Sequence, residues 1–213
     1  TDGEDENTLK AAIAFKNTGL GIPIIVANEK IVKKRLKEIG YGENLDIQII
    51  NSTDKKKREK YSKFIFKKLH GDKGNLEPDV NELYLRDCNK MLKNDRIIWG
   101  SCMVSTGDAD AMVTGNTRRY SQSLEKINKV VDSRPGEIMF GLNMVVNKGK
   151  TVFIGDTSVH EYPSSEQLAK IAISSARVVR LFGFDPKVAF LSHSTFGQPA
   201  TDRTKRISDA VQI

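Results

Sequence analysis

TGDADAMVTGNTRRYS, residues 106–121, is the stretch on which the reading of the fold turns. Gly107-Asp108 is a turn signal, and Ala111-Met112-Val113 is a short apolar run suited to a buried strand. Thr114, Gly115, Asn116 and Thr117 follow with hydroxyls, an amide and a glycine. Arg118 and Arg119 come next, and a helical pattern begins near Tyr120 and Ser121. Strand, Gly/Thr loop and helix N-terminus in that order is a common phosphate-holding arrangement of α/β proteins. Backbone N–H groups point outward there, and the helix dipole favours an anion. Two guanidinium groups beside the loop can grip phosphate oxygens in pairs. The same residues also fit a plain βα connection with a solvated basic face, and a lone glycine does not separate the two.

Upstream of this stretch, strand and helix patterns alternate. Helical spacing covers 7–16 (Leu9, Ala12, Ile13) and closes at Gly19. IPIIVA, 22–27, reads as a buried strand, 29–38 as a helix stopping at Gly40, and DIQII, 46–50, as a second strand. Residues 55–69 form a helix with Tyr61, Phe64, Ile65 and Leu69 on one side. The 70–78 stretch is loop. Residues 79–93 are helical with Leu83, Cys88, Met91 and Leu92, and 97–104 continue as a buried helix. This alternation predicts a parallel α/β layer structure.

Downstream, 121–131 reads as helix and Arg134-Pro135-Gly136 breaks it, which sets the expected lobes at 1–134 and 135–213. Two long strands, 138–146 and 151–155, flank a hairpin-type turn at Asn147-Lys148-Gly149-Lys150. KVAFL, 187–191, is another buried-strand pattern, so the second lobe is expected to hold a mixed sheet. Residues 164–182 are the clearest helix: Ser164-x-x-Gln167 resembles a capping box, and Leu168, Ile171, Ala172, Ser175, Val179 and Phe182 make its apolar stripe. A last helix begins at Thr201. Asp156 closes a strand, facing a ligand crevice or serving as a turn or capping carboxylate. Ser192, Ser194, Thr195 and Gly197 form a second hydroxyl- and glycine-rich strand-end loop. His193 there is a base or donor, or a plain strand-end histidine.

The net charge of +7 suits an anionic partner. The charge is scattered, and aromatics are only 7%, without the basic-aromatic interleaving of single-strand binders, so nucleic acid is not the expected partner. No apolar run approaches the ~20 residues of a membrane helix. The opening TDGEDEN carries no signal peptide and reads as a mid-chain cut. Two cysteines, Cys88 and Cys102, without CxxC spacing fit buried small hydrophobes in a reducing cytosol rather than a disulfide scaffold; a catalytic thiol is the other reading.

Neither loop ends in the Gly-Lys-Ser/Thr of a Walker A motif, and neither carries GxGxxG. Ser194 has no GxSxG setting. His160-Glu161 is not HExxH, because residue 164 is serine, and no metal site is expected. What remains is a set of neutral hydroxyl and amide donors beside cations, at the mouth between two lobes. That set suits coenzyme A or an acyl phosphate, and direct transfer between bound substrates needs no protein nucleophile.

GDADAMVTG, TRRYS, TVFIGDTSVHEYPSSEQLAKIA and KVAFLSHSTFGQP together resemble the phosphotransacetylase (phosphate acetyl/butyryl transferase) family, from Gly3-Glu4-Asp5 to the end of the chain. Within it the chain looks closest to the C-terminal region of hybrid NADP-dependent malic enzymes. Arg86-Asp87, Asn94-Asp95-Arg96, Asn116 to Ser121, Pro135-Gly136 and Ser194 to Gly197 point that way. The resemblance implies a two-lobed, three-layer α/β fold of the phosphotransacetylase and isopropylmalate-dehydrogenase kind, truncated at both ends. It implies acetyl-CoA as a ligand, homo-oligomers, and a malic-enzyme region elsewhere in the same chain that uses NADP and Mg or Mn. The alternative it implies is an active transferase moving an acyl group between coenzyme A and phosphate. Catalytic residues stay unassigned: the family's Ser-Arg motif lies beyond Ile213. Its helix arginine after the glycine loop matches Glu125, a reversal of charge that weakens anion binding.

Overall fold

The computed structural model describes residues 1–42, 47–71, 78–195 and 198–213. The expected strand start at Asp46, the loop residues 72–77 and the candidate Gly197 lie outside them. The chain divides into two compact units, Thr1–Asp132 and Ser133–Ile213.

The first unit runs α1 (Glu6–Asn17), β1 (Ile24–Val26), α2 (Glu29–Glu38), β2 (Gln48–Ile50), α3 (Lys55–His70), α4 (Pro78–Asn94), α5 (Arg96–Ser105) and α6 (Tyr120–Asn128). Short polar side chains start most of these helices by taking an orphan N–H. Asp5 accepts from Thr8, Asn28 from Lys30, Asp54 from Lys57 and Asp95 from Ile97, at 2.9–3.1 Å. β1 and β2 pair in parallel, with Ile25 opposite Ile49. Successive strand side chains point to opposite faces, so one short strand serves two cores. Ile25 and Ala27 join Leu9, Ile13, Val32 and Leu36 of α1 and α2. Val26 and Ile50 join Tyr61, Ile65, Leu92, Trp99 and Cys102 of α3, α4 and α5. The unit is therefore helix, sheet, helix in three layers. Tyr61 and Trp99, both fully buried, meet edge to face at 5.1 Å.

The expected strand at 111–113 does not form. These residues join no ladder, and Val113 is 86% exposed. A strand needs a neighbour to take its N–H and C=O groups. Here Met112 lies on Gly100 so closely that a Cβ there would meet its sulfur at 2.6 Å, and the Thr1 amino group donates to the Val113 carbonyl at 3.0 Å. Leu69 and Leu83 are also exposed rather than in the core.

The second unit runs β3 (Leu142–Asn147), β4 (Lys150–Gly155), α7 (Ser165–Leu181) and α8 (Asp202–Gln212). β3 and β4 form an antiparallel hairpin with Asn147 opposite Lys150. Its two turn residues, Lys148 and Gly149, both have positive φ (48° and 76°), as the twist of a two-residue hairpin requires. The capping box of α7 is present, with the Gln167 N–H donating to Ser164 at 3.2 Å and the Ser164 N–H to Gln167 at 2.8 Å. Phe153 of β4 packs on Phe182 and Phe184 beyond the end of α7. Phe182 is nonetheless 56% exposed, so the helix's apolar stripe ends at Val179.

The mixed sheet expected here is not found among the described residues. KVAFL joins no ladder, and Val188 and Leu191 are exposed. The two strands of the hairpin spend their inner edges on each other, and KVAFL does not add to either outer edge. Apolar composition marks a segment that can be buried; it does not supply the partner.

Candidate anion-binding site

The loop after residue 113 is a row of donors, and most of them are already engaged. Gly115, at φ +101°, takes a conformation that favours glycine. This turn aims successive N–H groups one way, as in an anion nest. The occupant is the protein's own carboxylate. The N–H groups of Gly115 and Asn116 donate to Asp2 Oδ2 at 3.1 and 3.2 Å, and the Thr117 hydroxyl donates to Asp2 Oδ1. Burial raises the Asp2 pKa, but the bonds from Thr117, Asn116 and Gly115 outweigh it, and the group sits below the usual aspartate value. Asn116 Nδ2 donates to Asp5 at 2.6 Å and Thr8 at 3.2 Å. Thr114 shares a hydroxyl bond with Thr1 at 2.7 Å.

Arg118 is engaged too. Its Nη1 lies 3.3 Å from Asp95 Oδ2, an oxygen shared with Lys126. Asp95 is buried, and its other oxygen caps α5. A buried carboxylate needs such partners, and it holds Arg118 against the domain. Arg96 is likewise paired with Glu4. A hollow of about 320 Å³ lies here, lined among others by Asp2, Glu4, Asp5, Arg96, Thr117 and Arg118. Three carboxylates face two guanidiniums in it, a wall that does not favour phosphate.

Arg119 differs. Among the described residues its guanidinium has no hydrogen-bond or ion-pair partner, and it stands at the N-cap of α6 without a capping side chain. Six other helices, α1, α2, α3, α5, α7 and α8, are capped by their own Asp, Asn, Ser or Thr. The first N–H groups of α6, beside exposed Tyr120 and Ser121, therefore face outward with a cation next to them. One turn on, Glu125 is exposed and spends its carboxylate on Lys129 at 2.8 Å, which lowers its pKa.

In the second unit Asp156 is an internal clasp. Its Oδ1 accepts the Gly141 N–H at 2.6 Å, and its Oδ2 accepts the His160 N–H at 2.9 Å and meets His160 Nδ1 at 2.7 Å. Its side chain is 5% exposed. Gly141 is needed for this approach, since a Cβ there would meet the Thr157 carbonyl oxygen at 2.3 Å. Ser192 and Ser194 share a hydroxyl contact at 3.1 Å, and Thr195 pairs by backbone with Gln198 at 3.0 Å. Among the described residues no group of three or more His, Cys, Asp or Glu is placed to hold a metal ion. Nor is any helix long and apolar enough to cross a membrane. Cys88 and Cys102 are buried free thiols; burial raises both, Cys102 to about 12.

The sequence profile of the phosphate acetyl/butaryl transferase family matches residues 1–213. The chain is 35% identical to an NADP-dependent malic enzyme of Rhizobium meliloti, and 36% identical to a probable NADP-dependent malic enzyme of Rickettsia prowazekii. Both matches cover all of this chain and 27% of the relative, so the chain spans about a quarter of the length of these proteins. The crystal structure of a phosphotransacetylase from Streptococcus pyogenes superposes with a TM-score of 0.86 at 26% identity, covering 100% of this chain and 62% of that one. The α/β fold is thus that of phosphotransacetylases.

Proposed function

The chain belongs to the phosphate acetyl/butaryl transferase family, and we propose that it is the phosphotransacetylase-like domain of an NADP-dependent malic enzyme that binds acetyl-CoA as a regulatory ligand and supports a homo-oligomer. Malate oxidation and decarboxylation, with NADP and a divalent metal, then fall to the malic-enzyme region of the same longer chain. The two malic enzymes above, in which this region is about a quarter of the length, support that division.

One observation carries the ligand reading: among the described residues Arg119 has no partner, and it stands beside the uncapped N-terminus of α6. A phosphate of acetyl-CoA placed there meets backbone N–H groups, the positive end of the helix and a guanidinium together. Tyr120 and Ser121 would frame it, beside the loop of Thr114, Gly115, Thr117 and Arg118, whose donors the chain's own side chains engage. The acidic side chains that engage residues 115–118, and Glu125 on α6, argue for binding without efficient transfer.

Isothermal titration of the full-length protein with acetyl-CoA tests this, alongside phosphate-dependent release of coenzyme A. Binding that weakens at least tenfold in Arg119→Ala, with no release, is expected; a charge-assisted pair is worth about 1.5–3 kcal/mol. Unchanged binding in that variant would sink the site. The second reading is an active phosphate acetyl/butyryltransferase acting on acyl phosphate, favoured by the fold match to a phosphotransacetylase. Sustained coenzyme A release would establish it.

A further inference from the structure

In the second unit two arginines share one tyrosine. The guanidinium of Arg206 lies 3.9 Å from the Tyr162 ring centroid and that of Arg203 lies 5.1 Å from it. Arg203 Nε donates to the Tyr162 hydroxyl at 3.0 Å. Arg206 donates through Nε to the Asp202 carbonyl at 3.3 Å and through Nη1 to the Pro163 carbonyl at 3.2 Å. Both guanidiniums are thus fixed by neutral groups.

Neither has a carboxylate within ion-pair distance among the described residues. Two nearby acids are committed elsewhere: Asp209 to Lys205 at 3.0 Å, and Glu166 to the Ser164 hydroxyl at 2.7 Å. Asp202 offers Arg206 only its carbonyl. Two cations side by side repel, and a protein that needed only a clamp would balance one of them. Each guanidinium has five N–H donors, and most of these remain unspent. A hollow of about 230 Å³ opens beside them, with Pro163, Leu168 and Ile207 as its apolar part and Glu161 on its wall.

We propose that this hollow is a binding site for a small phosphomonoester. Its phosphoryl group lies between Arg203 and Arg206, its single ring rests on Pro163, Leu168 and Ile207, and Glu161 accepts a hydroxyl or amine of that ring. The site is separate from the one at Arg119 and stands or falls independently of it. The volume admits a ring and a phosphoryl group but not a long pantetheine chain.

Titrating the full-length protein with ribose 5-phosphate, 4-aminophenyl phosphate and inorganic phosphate tests it. The organic phosphates are expected to bind at least tenfold more tightly than inorganic phosphate; the first two then tell whether the ring held is a sugar or an aromatic ring. Arg206→Gln and Arg203→Gln each lower that affinity at least tenfold, while Arg119→Ala leaves it unchanged. Arg203 is exposed, so its variant keeps the test decisive if Arg206→Gln fails to fold. No measurable binding, equal binding of all three anions, or affinity unaffected by Arg203→Gln would overturn the proposal. A lower melting temperature in the Arg206 variant without any phosphomonoester binding would also overturn it, leaving the cluster as a clamp on α8.

Discussion

Asp2 and Asn116 lie 114 positions apart, and the backbone N–H of Asn116 donates to the Asp2 carboxylate at 3.2 Å. With Gly115 and Thr117 on the same carboxylate, this contact ties the start of the chain to the loop before α6. The folded Asp2 titrates below its ordinary value, so its contribution is complete above that value, about pH 4, and fades as pH falls through the lowered one. Asp2→Asn is expected to cost about 1–3 kcal/mol at neutral pH. It should also flatten the acid limb of stability. Denaturant melts at a series of pH values measure both, and an unchanged acid limb would count against this clasp.

The buried hydroxyl of Tyr61 donates to Asp108 at 2.7 Å, and Lys60 pairs with the same carboxylate. Burial and the Asp108 charge push the Tyr61 phenol far up, so it stays a donor throughout the useful pH range. Tyr61→Phe keeps the edge-to-face contact with Trp99 and should cost about 1 kcal/mol. Tyr61→Ala also leaves a cavity and should cost about 3–5 kcal/mol. Equal losses in equilibrium unfolding would show that the ring is not what matters.

Burial holds the Cys102 thiol near 12 and raises Cys88 as well. The thiolate is the reactive form, so neither cysteine should react with an aromatic disulfide reagent at pH 8 until the protein unfolds. Rapid labelling of the native protein would contradict the buried placement.

Asp156 binds Gly141 and His160 with both oxygens, which predicts a structural role. Asp156→Asn should destabilise the protein by about 1–3 kcal/mol and leave acetyl-CoA affinity within about twofold. A loss of affinity without a loss of stability would return Asp156 to the ligand.

Glu125 sits six residues beyond Arg119 on α6, exposed and paired with Lys129. Replacing its negative charge with a positive one, Glu125→Arg, should tighten acetyl-CoA binding several-fold at low salt. The gain should shrink as salt screens it. Calorimetry at two ionic strengths checks this, and weaker binding at both would place the phosphate away from α6.

Local signals were legible in the sequence. The capping box at Ser164 and the hairpin turn at Lys148-Gly149 each depend on neighbours within four residues. The layer order followed from the alternation of such elements, because a short apolar strand between amphipathic helices buries both faces. Glu125 was found by resemblance rather than by local pattern. The Tyr162, Arg203 and Arg206 cluster was missed, since a tyrosine and two arginines forty positions apart carry no spacing signal.

By itself the sequence determined the helices to within a few residues, the β1, β2 and hairpin strands, and the family to which the chain belongs. Those features rest on backbone dihedrals and on hydrophobic periods, both written over a few residues. Only the tertiary structure decided that Val113 stays exposed and that the donors of residues 115–118 face Asp2, Asp5 and Asp95, while among the described residues KVAFL joins no sheet and Arg119 faces no carboxylate. Which carboxylate meets which N–H is set by how distant segments pack, and a segment's composition does not contain its partner.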